Sequence, residues 1–238
     1  MDLKQQGVIE DFQLLFYIIQ PPTPERVKYD IFDRVNRGGT PLNKQEMRNA
    51  LYRGRCTRML DKLCCSPEFL IATGRSINKE RMKDQYVVLR AMAFLMLHRG
   101  EFKDIPALQY RGDIDDFLAR FMVYVNDNAP EKLIVDYENL FIRCMQISYD
   151  LLGENGFRFS GNGIRRPINM PLFEALSYLF SFVPEKIDYT WASRLILDIE
   201  SVKEEFDDSR YFSGNIDSTT SVSFRFDRMD KIINRIQL

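Results

Sequence analysis

A chain of 238 residues, 45% hydrophobic and 28% charged, has enough apolar material for a core without disulfide or metal staples and lies far from disordered compositions. No run of about 18 apolar residues occurs, so no membrane span is expected. No secretory signal opens at Met1 either, because the first apolar run begins near Phe12 behind mixed charges. The net charge of −1 hides an asymmetry: residues 1–100 carry +6, the remainder −7, and residues 34–90 alone +8. Such a split either faces an anion or pairs its two halves with each other.

Helical punctuation recurs along the chain. A first helix is predicted over Val8–Gln20, ended by Pro21-Pro22. Thr23-Pro24-Glu25 supplies a cap, a first-turn proline and an early acid for a second, with Val27, Ile31 and Val35 on one face. That helix stops at Asn36-Arg37-Gly38-Gly39, and Asn43 with Glu46 three residues on forms a capping box for the next, which ends near Gly54. Ser66-Pro67-Glu68 opens a short helix ending at Gly74, and Asn78 a long one reaching His98-Arg99-Gly100. Further helices are predicted after Asp113, from Leu133 to Leu152, and over Pro171–Val183, Tyr189–Phe206 and Val222–Ile236. Strand signals are scarce, and neither repeats nor low-complexity linkers divide the chain. The sequence reads as all-α, a single irregular multi-helix bundle over residues 1–238. A hinge around 154–170, in the Gly/Asn/Arg-rich stretch, would divide it into two sub-bundles.

Most familiar chemistries are missing. Cys56, Cys64, Cys65 and Cys144 contain no Cys-x-x-Cys pair, and His98 is the only histidine, so no zinc site of the usual spacing is expected. Reduced thiols, buried as small hydrophobes, fit a cytoplasmic protein. His98 closes an apolar helix and has no flanking nucleophile motif, which favours a structural role over catalysis. No phosphate-binding Gly-x-x-x-x-Gly-Lys-Ser/Thr loop is present. No catalytic and no metal-binding residues are assigned.

The exception is the segment from Ile31 to Asn43, where a helix ends in a polar glycine turn and another starts directly after it. Arg34, Arg37 and Arg48, with the first backbone donors of the second helix, have the chemistry to surround a phosphate or carboxylate. A plain helix–turn–helix connection with solvated arginines accounts for the same residues.

This segment, continued through Gln45-Glu46-Met47-Arg48-Asn49-Ala50-Leu51, resembles a recurring signature of GmrSD-type restriction proteins. Arg81-Met82-Lys83-Asp84 before Val87-Val88-Leu89-Arg90, Leu152-Gly153 before Phe157-Arg158, and Arg166-Pro167-Ile168-Asn169 before Leu172-Phe173-Glu174-Ala175 add to the likeness, which covers about residues 8–180. Intact members join a ParB/sulfiredoxin-like domain to a helical region and often an HNH nuclease domain, and the resemblance implies an NTP-dependent DNA endonuclease for such a whole protein. The ParB-like domain's Asp-Gly-Gln-Gln-Arg motif and the HNH motif are both missing from this sequence. The resemblance therefore implies the helical part alone, inactive by itself and with no cofactor of its own. Nucleotide and Mg²⁺ would belong to the intact architecture. Asn36, Arg37, Gly38 and Gly39 would lie beside the nucleotide-handling domain. Asn36 would donate or accept a hydrogen bond there, Arg34 and Arg37 would neutralise phosphate, and Arg48 and Asn49 would join the ligand contacts. Two other readings stay open: nucleic-acid binding by the basic stretch 34–90, and a scaffold that docks a second chain carrying the ParB-like domain.

Overall fold

A computed structural model describes residues 7–8, 10–13, 16, 18, 20, 23, 25–36, 41–160, 165–186, 188–212 and 214–236. The chain divides into two compact units, Met1–Leu42 and Asn43–Leu238.

In the first unit the helix predicted after Thr23 forms as α1 (Glu25–Asn36). Of the helix predicted over Val8–Gln20 only the start forms: Val8 and Glu10 are helical, whereas Phe12, Gln13, Phe16, Ile18 and Gln20 are not. Phe12, Phe16 and Ile18 are also largely exposed, so these side chains supply none of the packing that short helices depend on in water.

The second unit is an all-α multi-helix bundle, with no strand among the described residues. Its helices are α2 (Lys44–Leu51), α3 (Arg55–Cys64), α4 (Pro67–Ala72), α5 (Lys83–His98), α6 (Ile114–Asp127), α7 (Glu131–Leu152), α8 (Met170–Phe180), α9 (Tyr189–Asp207) and α10 (Thr219–Ile236). Side-chain caps account for most starts. Asn43, Ser66, Asp113, Asn169 and Asp188 each accept hydrogen bonds from the first-turn amides of the helices they precede. No helix among the described residues is long and apolar enough to cross a membrane. Of the expected hinge around 154–170, residues 161–164 lie outside the described set.

Two boundaries differ from the sequence reading. A separate helix, α3, follows Gly54, its Cys56, Met59, Leu60 and Leu63 facing the core. The break before it has a tertiary cause. Asn126 of α6 donates to the Tyr52 carbonyl at 2.9 Å and accepts from the Cys56 amide at 2.8 Å. A Cβ at Gly54 would fall 2.5 Å from Asn126 Oδ1, so the chain passes this amide only with glycine. The long helix expected from Asn78 starts instead at Lys83, because Arg81 and Met82 both take left-handed backbone conformations.

The core is built on α5 and α8, which pack on each other. Every residue of α8 from Pro171 to Phe180 is buried, as is most of α5, which is what helices apolar all round require. α10 covers α8, α4 packs on α7, and α3 on α5. Glu174, the one charge in α8, is fully buried between two fully buried arginines. Its Oε1 accepts from Arg90 Nε and its Oε2 from Arg225 Nη2 at 3.1 Å, while Arg90 Nη2 reaches Asp217 at 2.7 Å. Glu174 thus ties α5, α8 and α10 together, and Asp217 ties the loop before α10 to the same Arg90.

Candidate functional site

The charge asymmetry of the sequence is resolved in part inside the second unit. Lys44 and Arg48 pair with Asp115, Lys62 with Glu138, and Arg90 with Glu174 and Asp217, each a cation of the basic stretch meeting an acid of the later chain. Arg55 donates to the carbonyls of Val125 and Ala129 at the end of α6. Five exposed cations of the stretch, Arg53, Arg58, Arg75, Lys79 and Lys83, have no acidic partner among the described residues.

One cleft of about 520 Å³ gathers the polar remainder, where the start of α2 meets the turn before α5. Lys44, Gln45 and Arg48 form one wall, and Asn78, Glu80, Arg81, Lys83 and Tyr86 the other. The α2 wall is set by a capping box. Asn43 Oδ1 accepts from the amides of Gln45 and Glu46 at 2.8 and 2.9 Å, and the Glu46 carboxylate accepts from the Asn43 amide at 2.6 Å. The first donors of α2, which the sequence suggested as anion ligands, are therefore taken at Gln45 and Glu46 by the cap itself. The second wall is held by the same residues. Asn43 Nδ2 donates to the Arg81 carbonyl at 2.7 Å, and Arg81 Nη2 donates to Glu46 at 2.9 Å. These bonds hold two consecutive left-handed residues, a conformation that costs an L-residue about 1–2 kcal/mol. The Arg81 guanidinium, then the Asn43 amide, keep the Glu46 carboxyl below the usual carboxylate range. Asn43→Ala removes both the cap and the Arg81 tether. It is expected to lower stability by about 1–2 kcal/mol in urea unfolding, with no change in the folded helix content measured by circular dichroism.

Arg48 is the buried member of the cleft, with its side chain only 1% exposed. Its Nε donates to Gln45 at 3.1 Å, its Nη1 to Asp115 at 2.8 Å, and its guanidinium lies 5.2 Å from the Tyr86 ring centroid. Burial opposes ionisation of Asp115, but Lys44 and Arg48 outweigh it and hold that carboxyl below the usual range. Asn49, half-buried, accepts from Gln45 Nε2 at 2.8 Å and donates to Gln85 and to Met82 Sδ. Two of the sequence-selected residues, Arg48 and Asn49, thus share one network through Gln45. Arg34 is exposed in the last turn of α1. Only the helical backbone of Asn36 is described, and Arg37, Gly38 and Gly39 lie outside the described residues. Lys44, Asn78, Lys83 and Tyr86 were not among the site residues the sequence selected, since nothing local marks them as ligands. Arg81 and Lys83 stood in the second motif of the resemblance without an assigned role.

The other motifs of that resemblance fall at interior joints. Arg90 and Glu174 bind each other. Arg158, buried, donates to the carbonyls of Thr73, Glu154 and Arg166 and to Ser76 Oγ, and Asn169 caps α8. His98 does end α5, but its ring stacks on Phe226 at 3.6 Å, with Nε2 buried and without a hydrogen bond. Cys56, Cys64 and Cys144 are buried, and burial pushes each thiol well up, so none is a ready nucleophile. Among the described residues no group of three or more His, Cys, Asp or Glu is placed to hold a metal ion.

Fold and site together define an all-α bundle with a cation-lined surface cleft. No protein-family model, curated protein or solved structure matches the chain.

Proposed function

We propose that this chain is the helical module of a GmrSD-type restriction protein, catalytically incomplete by itself. It docks on a ParB-like domain, in the same or a second chain, and contributes an anion contact through Asn36, Arg37, Gly38 and Gly39. The observation that supports this reading is the state of α1. Val27, Ile31 and Val35 are 41%, 40% and 77% exposed on the helix that leads into the turn. A stripe of three apolar residues at four-residue spacing, left in water, marks a face made for another surface. Arg34, exposed on the same helix, would join Arg37 at the phosphate. Mg²⁺ in this reading is held by the nucleotide and the partner domain, and the four free cysteines suit a reducing, cytoplasmic setting.

Two measurements test it. Co-elution with a ParB-like domain encoded next to this chain is expected for the wild type and is lost in Ile31→Glu, without a change in melting temperature. In the complex, a thermal shift with ATP or GTP and Mg²⁺ is expected to shrink in Arg37→Ala. Undiminished co-elution of Ile31→Glu would remove α1 from the interface. An unchanged nucleotide shift in Arg37→Ala would remove the turn from the site.

A second reading, DNA binding by the stretch 34–90, draws on the five exposed cations without acidic partners. It requires an affinity for short duplexes that falls steeply with salt, as neutralised phosphates release counterions. A flat salt dependence would exclude it.

A further inference from the structure

We propose that the cleft between α2 and the start of α5 is a binding site for the phosphate group of a small phosphorylated molecule, held by Arg48 and Lys83. The proposal is independent of the partner reading and concerns the second unit alone. Its lining has four cations, Lys44, Arg48, Arg81 and Lys83, against one carboxylate, Glu80. Behind the lining, Asp115 serves both Lys44 and Arg48, and Glu46 serves Arg81, which leaves an excess of one positive charge.

The decisive group is Arg48. A buried guanidinium is costly unless its charge and donors are met. Here its single carboxylate is shared with a lysine, and Nη2 donates no hydrogen bond among the described residues. Arg48 lines a cleft wide enough for a small molecule, about 520 Å³. Lys83, exposed and without an acidic partner among the described residues, lines the same cleft. A tetrahedral oxyanion accepts from a guanidinium edge and an ammonium at once, which meets both unused donors. The left-handed pair Arg81–Met82 contributes by turning the chain so that Arg81 and Lys83 both come to the cleft wall. Glu80, bonded to Asn78 Nδ2 at 2.8 Å, is the one group opposing an anion.

The test is calorimetric titration of the full chain with inorganic phosphate at low ionic strength, with acetate as the comparison anion. Phosphate is expected to bind more tightly than acetate. Lys83→Ala, an exposed position that keeps the wild-type melting temperature, is expected to weaken phosphate by about tenfold. Arg48→Lys keeps the buried charge but loses the planar donor edge, and weakens it likewise. Glu80→Gln is expected to tighten it by on the order of threefold, by removing the opposing charge. Arg37→Ala, on the turn, leaves it unchanged. No phosphate binding, phosphate bound no more tightly than acetate, or full affinity retained in Lys83→Ala would each overturn the assignment. Loss of binding in Arg37→Ala with none in Lys83→Ala would do the same, while leaving the docking of α1 to be judged by co-elution.

Discussion

Glu174→Gln is expected to lower the stability of the protein by about 3–5 kcal/mol, the largest effect of any single conservative replacement proposed for this chain. The carboxylate is fully buried and lies between Arg90 and Arg225, which are themselves buried. Glutamine keeps the shape and one acceptor but removes the negative charge. Arg90 retains Asp217, and Arg225 retains the Ile216 carbonyl at 2.6 Å, neither of which replaces a carboxylate shared by both. The cost is that of two guanidiniums held out of water with one acid between them. Urea unfolding, followed by circular dichroism, measures it directly through the midpoint at unchanged slope. A loss below about 1 kcal/mol would mean that water reaches the cluster.

The second large effect concerns pH. Burial, reinforced by the Arg225 charge, pushes the His98 pKa down to about 3. In the unfolded chain the same imidazole takes up a proton near pH 6.5. The folded state therefore binds fewer protons than the unfolded one between these values, and stability falls as the pH drops through that window. Above pH 6.5 both states hold a neutral ring and the effect vanishes. About 2 kcal/mol is expected to be lost from this group by pH 5. His98→Phe keeps a ring on Phe226 and cannot titrate, so the stability difference between pH 7.5 and pH 5 should shrink by that amount. Equal losses in wild type and variant would mean that the protonated ring finds solvent or a partner within the fold.

Much of the fold was legible in the chain because its helices are punctuated locally. Asn43 with Glu46, Ser66-Pro67-Glu68, Asp113 and Gly153 each satisfy or end a helix terminus within a few residues, so their meaning does not depend on the rest of the molecule. The same locality explains the misreadings. The predicted Val8–Gln20 helix forms only at its start, and Phe12, Phe16 and Ile18 beyond it lie exposed rather than packed. The break at Gly54 is imposed by Asn126, 72 positions later in sequence, and the late start of α5 by Asn43 and Glu46, which grip Arg81 from the other wall of the cleft.

The candidate cleft was legible only in part. Arg48 and Asn49 were marked by their motif, but a motif does not say whether an arginine is solvated, paired or buried with an unused donor. The opposing wall, with Lys83 and Tyr86, is more than 30 residues away in sequence and carries no local sign of a shared role. By itself, then, the sequence determined the all-α class and most helix starts, since periodicity and capping act within one or two turns. The tertiary structure alone decided which charges meet. It placed Glu174 between Arg90 and Arg225, paired Lys44, Arg48, Lys62 and Arg90 of the basic stretch with acids of the later chain, and left Arg48 and Lys83 facing one cleft. Electrostatic roles depend on distance and burial, and both are properties of the packed chain rather than of its order of residues.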